Sequence, residues 1–559
     1  MTYTIFSGDK IEKIDLNVIG ILRDALGPKQ DIILVELHGP NAEHDGVVAG
    51  MSGSPVYLDG KLAGALSLKL GLFVKEAIGG VTPIENILDI EKALPTPPNV
   101  ATTTSVRTPS ASNETAARVS LPSELSERIG LTGGSYLVPI ETPLVFTGLY
   151  PQTLAQFGGK LSSLGMTAMA GGTAAPAAED SKLQPGDMVG MDLIRGDLSL
   201  SAGCTVTRIE GDRVFACGHP LFGFGSVSLP LSRGHVVMTL ASSLASTKIM
   251  NTGGVIGTLT QDRATAVMGV LGPGPATIPM DLEIVTPAQE KAFHFELIES
   301  PQLTPLLVAV ATFNGVVGNT AYGEGSTLQL TGTIELNGHT PVQLEDLFAP
   351  SDAPIPSGFA VAGDVEGTFS RLYLNPYEPP RVQKIHLRVN SLPERRWAMI
   401  DSAWSEKSEA RPGETVRIKV LLRPYRGAPF IQEIPITIPP QAARGNLRLL
   451  VSDAETLNRT VQTFSAAQQS QLPGLEELIR LLNRERHNDR LYATLLQPTP
   501  TLLVQDKEMP NVPLSEISIL DQRQNPGGPR LLGESSAGEW SVEMKQVITG
   551  QRYLTITVK

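Results

Sequence analysis

Glycine and proline interrupt this chain at short and regular intervals, and that pattern limits the folds open to it. The 559 residues include 54 Gly and 43 Pro. From Met188 to about Leu336, turn signals recur at intervals of roughly ten residues and separate runs rich in Val, Ile, Thr and Leu. Such spacing is typical of β-barrels and β-sandwiches. The sequence therefore predicts a mainly β protein.

Length and charge narrow the class of protein further. A chain of 559 residues exceeds what one hydrophobic core supports, so we expect roughly two to four domains. The net charge of -12, without any basic run, argues against nucleic acid as a partner. No window approaches the ~18 continuous apolar residues of a membrane helix. The start, MTYTIFSGDKIEKIDLNVIGIL, lacks the charged and apolar regions of a signal peptide.

Changes in composition predict the domain boundaries. A Pro/Thr/Ser-rich stretch without apolar period indicates a flexible linker, and alternating apolar residues punctuated by RPGE and RGAP favour an immunoglobulin-like β-sandwich. The segment GLEELIRLLNRERHNDRLYATLL has the spacing of an amphipathic helix. The predicted regions are strands with a closing short helix at 1–95, the linker at 96–120, helical segments followed by strands at 121–345, a connector at 346–380, the sandwich at 381–456, and the helix with a C-terminal β module at 457–559.

The stretch GMSGSP at residues 50–55 has the composition of a nucleophile loop. The α/β-hydrolase elbow G-x-S-x-G does not fit, because Ser54 occupies its last glycine position. The trypsin-like pattern G-D-S-G-G-P matches in register at Gly50, Ser52, Gly53 and Pro55. Ser52 would then be the nucleophile, and the amides of Gly50 and Ser52 would form the oxyanion hole. The alternative interpretation is a Gly/Ser-rich hairpin loop without chemistry.

His219 has the setting expected of a catalytic base. It follows the apolar strand VFAC directly and lies between Gly218 and Pro220. A histidine at a strand end among glycines can face a cleft, and Pro220 fixes the direction in which the chain leaves. A packed or capping histidine is the alternative.

The two cysteines, Cys204 and Cys217, flank a predicted hairpin that turns at Gly211-Asp212. Two cysteines without a C-x-x-C motif exclude a cysteine-rich zinc module. They are either two small buried residues or a disulfide of an exported protein.

Taken together, the serine and histidine motifs resemble the sporulation stage IV B (SpoIVB) serine peptidase family. The residues that carry the resemblance are GMSGSPVYLDGKLAGAL, ACGHP, and GGVIGTLTQDRATAVMG followed by GPGPATIPMDLEIV, within residues 1–95 and 185–290. The resemblance implies a trypsin-related β-barrel peptidase domain assembled from two sequence halves, an exported setting, a protein or peptide substrate, and no metal or cofactor. It assigns Ser52 as nucleophile and His219 as general base.

This chain departs from that family in two ways. Its serine half precedes its histidine half, which is the reverse of the family's order. The third member of the triad has no clear match, and the candidate acids are Asp262, in TLTQDRATA, and Glu36 and Asp45 upstream of the serine. Each of these carboxylates has a solvated-surface interpretation as well.

The sequence therefore favours a serine endopeptidase that acts on exported or envelope proteins. The alternative is a catalytically weak or inactive scaffold that keeps the peptidase fold and binds a partner. A further alternative is a peptidase that cuts only its own linker at 96–120.

Overall fold

A computed structural model describes residues 1–71, 77–92, 118–122, 126, 136–171, 182–242, 246–319, 325–350, 357–459, 474–497, 501–504, 507–510, 530–532 and 535–559. The chain divides into two compact units. The first comprises Met1–Pro279 and His294–Asn314, and the second comprises Met280–Phe293 and Gly315–Lys559. The fold is mainly β, as the sequence predicts.

Residues 2–83 close into a six-stranded barrel, here called the serine barrel. The strands pair antiparallel in the order β4-β1-β2-β3-β6-β5, and β4 also pairs with β5, which closes the ring. Apolar side chains such as Val35, Val56 and Leu66 fill it. Its strands are β1 (Thr2–Ile5), β2 (Ile11–Leu22), β3 (Ile32–His38), β4 (Pro55–Leu58), β5 (Lys61–Leu70) and β6 (Ile78–Pro83).

Short elements surround this barrel. Helix α1 (Pro40–Asp45) precedes the serine loop, and helix α2 (Ile84–Leu88) with a 3-10 turn (Asp89–Lys92) follows β6, where the sequence predicts a short helix. Strands β7 (Val119–Ser120) and β8 (Tyr136–Pro139) extend the sheet beside β5. The predicted linker at 96–120 lies outside the described residues except for its last three.

A second closed ring, the histidine barrel, follows in the same unit. Its order is β12-β13-β16-β15-β14-β11, and β11 pairs with β12 to close it. Strand β9 lies beside β12, and β10 pairs with β9 in parallel. The elements are β9 (Thr142–Thr147), α3 (Pro151–Ser162), β10 (Met166–Ala170), β11 (Met188–Gly196), β12 (Ser199–Glu210), β13 (Arg213–Ala216), β14 (Gly225–Leu240), β15 (Thr247–Arg263) and β16 (Ala266–Leu271).

Tight turns connect the strands where the sequence predicts them. Strands β4 and β5 meet at Asp59-Gly60, which both have positive φ, 50° and 76°. A two-residue turn with both φ values positive matches the twist of a hairpin, and Asp-Gly is among the pairs that adopt it most readily. Strands β12 and β13 meet in another two-residue turn at Gly211-Asp212, in which only Gly211 has positive φ, 64°. Both predicted hairpins are confirmed.

A disulfide joins Cys204 on β12 to Cys217, which directly follows β13. Both cysteines are fully buried. The structure therefore selects the disulfide over the alternative of two unpaired buried cysteines.

The division between the two units falls within β17 (Ile278–Val285), β18 (Glu290–Leu297) and the apolar helix α4 (Thr304–Val317). In the second unit, β17 joins a sheet of order β17-β21-β19-β20. The sequence places 315–345 in one region with the preceding strands, whereas in the structure β19 and β20 pair with each other and with β21 of the second unit. The new strands are β19 (Thr327–Leu336), β20 (Val342–Phe348) and β21 (Val382–Leu392).

Helix α5 (Ser357–Tyr373) occupies the middle of the predicted connector at 346–380. Val361, Val365 and Phe369 are fully buried at helical spacing. The prediction of a loop was wrong because the glycines and prolines of this stretch conceal its apolar period.

The rest of the second unit contains a β-sandwich. A four-stranded sheet, β25-β24-β22-β32, and a five-stranded sheet, β23-β33-β26-β27-β31, share one core that includes Ile400, Val420, Leu449 and Ile556. The sandwich strands are β22 (Trp397–Ser405), β23 (Glu409–Ala410), β24 (Thr415–Pro424), β25 (Phe430–Thr437), β26 (Gly445–Ser452), β27 (Arg490–Gln497), β31 (Ser535–Glu543), β32 (Val547–Thr549) and β33 (Gln551–Val558). A separate three-stranded sheet contains β28 (Thr501–Val504), β29 (Lys507–Pro510) and β30 (Arg530–Leu532).

The sandwich limits differ from the predicted 381–456. Strand β26 pairs with β33 and β27, so the core continues past residue 456 almost to the last residue of the sequence. At the other limit, β21 belongs to the preceding sheet. The separate C-terminal module predicted for 457–559 is thus largely part of the sandwich.

The predicted amphipathic helix is confirmed only in its first part. Helix α6 (Leu475–Leu482) buries Leu475, Leu478, Ile479 and Leu482 on one face. The segment Arg490–Gln497, which the sequence assigned to the same helix, forms β27 because it completes pairing with β26 and β31. In the part of the chain that the structure describes, no helix has both the length and the apolar character needed to span a membrane.

The disulfide gives a test of this architecture. The Cys204→Ala/Cys217→Ala double variant is expected to lower the free energy of unfolding of the first unit by about 3 kcal/mol, because the disulfide closes a short loop. Urea denaturation of the full chain under non-reducing conditions measures this value. The wild type with excess reductant serves as the control and should approach the variant. Equal midpoints for oxidised wild type and variant would contradict the expectation.

Candidate active site

The serine loop is a tight turn between Ala49 and β4. Gly50 and Gly53 have φ of 92° and 94°, a region that favours glycine. The Met51 amide donates to the Val48 carbonyl at 3.0 Å, and the Ser54 amide donates to the Met51 carbonyl at 2.9 Å. These conformations explain why two glycines are needed in six residues.

Ser52 and Ser54, two residues apart, have different environments. Both are fully buried. The Ser54 hydroxyl donates to the Met51 carbonyl at 2.6 Å, so it closes the turn. The Ser52 Oγ has no hydrogen-bond partner among the described residues. The Ser54 hydroxyl is therefore engaged in the turn, whereas the Ser52 hydroxyl is not engaged by any described residue.

The backbone amides around Ser52 differ in whether they already donate a hydrogen bond. The N–H groups of Gly50 and Ser52 donate to no acceptor within the described ranges, whereas the intervening Met51 N–H is used in the turn. An oxyanion hole requires backbone donors that are not already engaged. The amides of Gly50 and Ser52, which the sequence assigns to the oxyanion hole, are not engaged in this way.

His219 follows β13 through two residues with positive φ, Cys217 and Gly218, each at 69°. Its Nδ1 lies 2.8 Å from the Pro220 carbonyl oxygen, which can only accept, so Nδ1 carries the proton. In a neutral ring, Nε2 is then the basic nitrogen. This Nε2 is buried and meets no partner within strict hydrogen-bond geometry, although the Ile140 backbone is near enough to the ring to favour its protonated form.

Burial lowers the pKa of His219 below its ordinary value of 6.5. The hydrogen bond to the Pro220 carbonyl and the nearby Asp262 carboxylate oppose that shift. The imidazole is therefore neutral at neutral pH and is able to accept a proton.

The two segments come together between the barrels of the first unit. A Cβ atom at Gly53 would clash with the Thr205 carbonyl oxygen and lie 2.6 Å from the Cys217 nitrogen. Gly53 is adjacent to Ser52, and Cys217 lies two residues before His219. The Ser52 carbonyl also accepts the Thr205 amide at 2.8 Å. The structure thus brings the loops of both predicted residues into contact, without a direct Ser52–His219 hydrogen bond.

Asp262, the predicted triad acid, has other partners than the imidazole. Its buried carboxylate on β15 accepts the amides of Leu221, Phe222 and Gly223 at 2.7–2.8 Å. Burial raises the pKa of Asp262, and these amides oppose the rise. Asp262 therefore anchors the turn that follows His219, and the hydrogen bond to Nδ1 expected of a triad acid goes instead to the Pro220 carbonyl.

The other two candidate acids, Glu36 and Asp45, have partners other than His219. Glu36 is half-exposed and its nearest basic partner is His38, at 4.0 Å. Asp45 contacts His44 Nδ1 at 2.5 Å on the surface helix α1. Among the described residues, no group of three or more His, Cys, Asp and Glu side chains is placed to hold a metal ion.

Sequence reasoning missed a buried lysine beneath the serine loop. Lys248 on β15 is fully buried, and its Nζ donates to Thr4 Oγ1 at 2.6 Å. A Cβ at Gly50 would lie 3.2 Å from its Cδ. Desolvation lowers the pKa of Lys248 to about 7. Its sequence context, a polar residue within an alternating strand, contains no signal that distinguishes it from a solvated lysine.

Lys248 gives a prediction about stability. Between pH 7 and 10.5 the unfolded chain holds the lysine proton and the folded chain releases it, so stability rises with pH by at most about 1.4 kcal/mol per pH unit. Lys248→Met removes this slope and is expected to stabilise the protein most near pH 7. Urea unfolding at pH 7, 8 and 9 measures it, with the exposed Lys61→Met as control. Parallel wild-type and Lys248→Met profiles would refute the assignment.

The chain matches no protein-family model, no curated protein and no solved structure. The likeness to the sporulation stage IV B peptidases therefore depends on the serine and histidine motifs. What the site does has to be argued from its own geometry.

Proposed function

We propose that this chain is a serine endopeptidase of the sporulation stage IV B type that acts on exported or envelope proteins. Ser52 is the nucleophile, His219 is the general base, and the amides of Gly50 and Ser52 hold the oxyanion. The reaction uses neither metal nor cofactor. The trypsin-like assignment of the two barrels and the immunoglobulin-like assignment of the sandwich belong to this proposal.

One observation carries the proposal: Ser52 Oγ and His219 Nε2 are both buried and both without a hydrogen-bond partner among the described residues. A buried polar atom left unpaired costs roughly 1–3 kcal/mol. Such atoms call for an explanation, and a catalytic role is one explanation. Here the two atoms belong to loops that contact each other. One is a hydroxyl that can attack a carbonyl carbon, and the other is a basic nitrogen that can accept the hydroxyl proton, as acyl transfer requires.

The chemistry follows from these groups. Ser52 Oγ attacks the substrate carbonyl carbon while its proton passes to His219 Nε2, and the carbonyl oxygen becomes an oxyanion held by the Gly50 and Ser52 amides. His219 then gives the proton to the leaving amine as the C–N bond breaks. Water, deprotonated by the same nitrogen, hydrolyses the acyl-enzyme and restores Ser52.

Backbone groups orient the imidazole in place of a carboxylate. The Pro220 carbonyl holds the proton on Nδ1, and Asp262 holds the turn that contains Pro220. A carbonyl stabilises the imidazolium less than an aspartate does, so the site is expected to be slower than a full triad.

The fold gives independent support. Two closed six-stranded rings each contribute one of the two residues, which is how trypsin-like enzymes divide their sites. The Cys204–Cys217 disulfide agrees with an oxidising compartment, in keeping with export.

The inactive scaffold remains the second candidate because one observation favours it. Ser52 is fully buried, so a substrate has to displace part of the loop's surroundings before attack. A scaffold that binds a partner elsewhere would have no need of such movement.

Covalent labelling separates the two candidates. Wild-type protein is expected to react with a small fluorophosphonate at Ser52, with loss of labelling in Ser52→Ala and His219→Ala, and the adduct is located by peptide mass spectrometry. Ser54→Ala is the matched control, because that serine lies in the same loop with its hydroxyl engaged. Absence of labelling in folded wild type across several probes would favour the scaffold.

The depressed pKa of His219 sets the pH profile. Because burial lowers the pKa of the folded imidazole below its ordinary value of 6.5, the labelling rate constant at pH 6.5 should exceed half of its plateau value at higher pH. The rate should fall by half only at a more acidic pH. A midpoint at or above pH 6.5 would show that burial does not tune this residue.

A further inference from the structure

We propose that three buried threonines are positioning residues, through which each barrel holds the catalytic loop of the other. Thr205 and Thr207 of the histidine barrel hold the serine loop, and Thr82 of the serine barrel holds the segment before His219. This inference rests on the proposed function, and we call these three side chains the threonine contacts.

The first two contacts come from β12. Thr205 Oγ1 donates to the Gly50 carbonyl at 2.8 Å, and Thr207 Oγ1 donates to the Gly53 carbonyl at 2.7 Å. Both threonines are fully buried. Side chains two apart on a strand share a face, so one strand of the histidine barrel reaches both sides of Ser52.

The third contact runs in the opposite direction. Thr82 Oγ1 on β6 donates to the Gly218 carbonyl at 2.9 Å, directly before His219. The Ser67 hydroxyl on β5 lies 2.7 Å from Thr82 Oγ1. Because Thr82 has one proton and uses it on Gly218, Ser67 supplies the other hydrogen bond and fixes the rotamer of Thr82.

Threonine suits this role better than other hydroxyl residues. Its β-branch restricts χ1, so on a strand the hydroxyl direction is fixed by the backbone. Each of the glycine carbonyls it meets is within two residues of Ser52 or His219. A shift of one barrel against the other would therefore break contacts on both loops. The relative position of Ser52 and His219 thus depends on how the two barrels pack against each other.

Two neighbouring features strengthen the arrangement. Lys248 Nζ lies 3.5 Å from Thr205 Oγ1, so a buried amine supports the same hydroxyl that holds Gly50. The disulfide joins Cys204, directly before Thr205, to Cys217, directly before Gly218. The disulfide thus links the two segments of the histidine barrel that take part in the threonine contacts.

The test uses isosteric substitutions in the full chain. Thr205→Val, Thr207→Val and Thr82→Val keep the shape of the side chain and remove the hydroxyl. Each is expected to reduce the maximal fluorophosphonate labelling rate about 10- to 100-fold while the half-saturating probe concentration changes little, because misplacement affects attack more than binding. Thr→Ser at each position keeps the hydroxyl and should restore much of the rate.

Thr312→Val provides the matched control. Thr312 is equally buried in the first unit, but its hydroxyl has no partner among the described residues, so its loss should leave labelling unchanged. Circular dichroism and thermal unfolding identify any variant that fails to fold. Such a variant is set aside, and the labelling rates of the variants at the other threonine positions test the inference.

The outcomes separate the inference from the function it rests on. Wild-type labelling with valine variants that react at the wild-type rate would overturn the threonine contacts and leave the peptidase proposal intact. Equal loss in the valine and serine variants would point to packing rather than hydroxyl positioning and would also overturn the inference. Wild type that never labels would remove both proposals.

Discussion

A backbone contact between Gly53 and strand β12 underlies the candidate site. No side chain fits at Gly53, because Thr205 and Cys217 occupy the space a Cβ would need. This contact fixes the serine loop against the histidine barrel, and the disulfide fixes the end of β13 against the same strand. The main chain therefore holds the serine loop against the histidine barrel, and the disulfide stiffens the part of that barrel from which His219 follows. Rigid support of this kind is what a nucleophile and its base require.

The polar groups around this contact are satisfied in a selective way. The hydroxyls of Ser54, Thr82, Thr205 and Thr207 all have acceptors, whereas Ser52 Oγ has none within the described residues. The same contrast separates His219 Nδ1, which is engaged, from Nε2, which is not. Unpaired polar atoms in the interior call for an explanation, and these two lie on loops that contact each other.

Local signals in the sequence predicted local structure well. The Asp59-Gly60 and Gly211-Asp212 turns were recognisable because two-residue hairpin turns demand positive φ. Ser52 and His219 became the candidate pair because glycines flank them. Helix α5 was missed because its apolar residues are separated by glycines, and the sandwich boundary at 456 was wrong because β26 finds its partners some 40 and 100 residues later. Pairing over such distances leaves no mark in a local window.

The sequence by itself determined that the chain is mainly β, that GMSGSP turns tightly, and that Ser52 rather than Ser54 fits a nucleophile loop. These properties depend on backbone preference and alternation, which act over a few residues. Only the tertiary structure decided that Asp262 accepts the amides after His219 and that Lys248 is buried away from solvent. It also decided that threonines of each barrel donate hydrogen bonds to glycine carbonyls of the other. Those properties depend on which distant strands close each ring, and burial and hydrogen-bond partners exist only once the rings have closed.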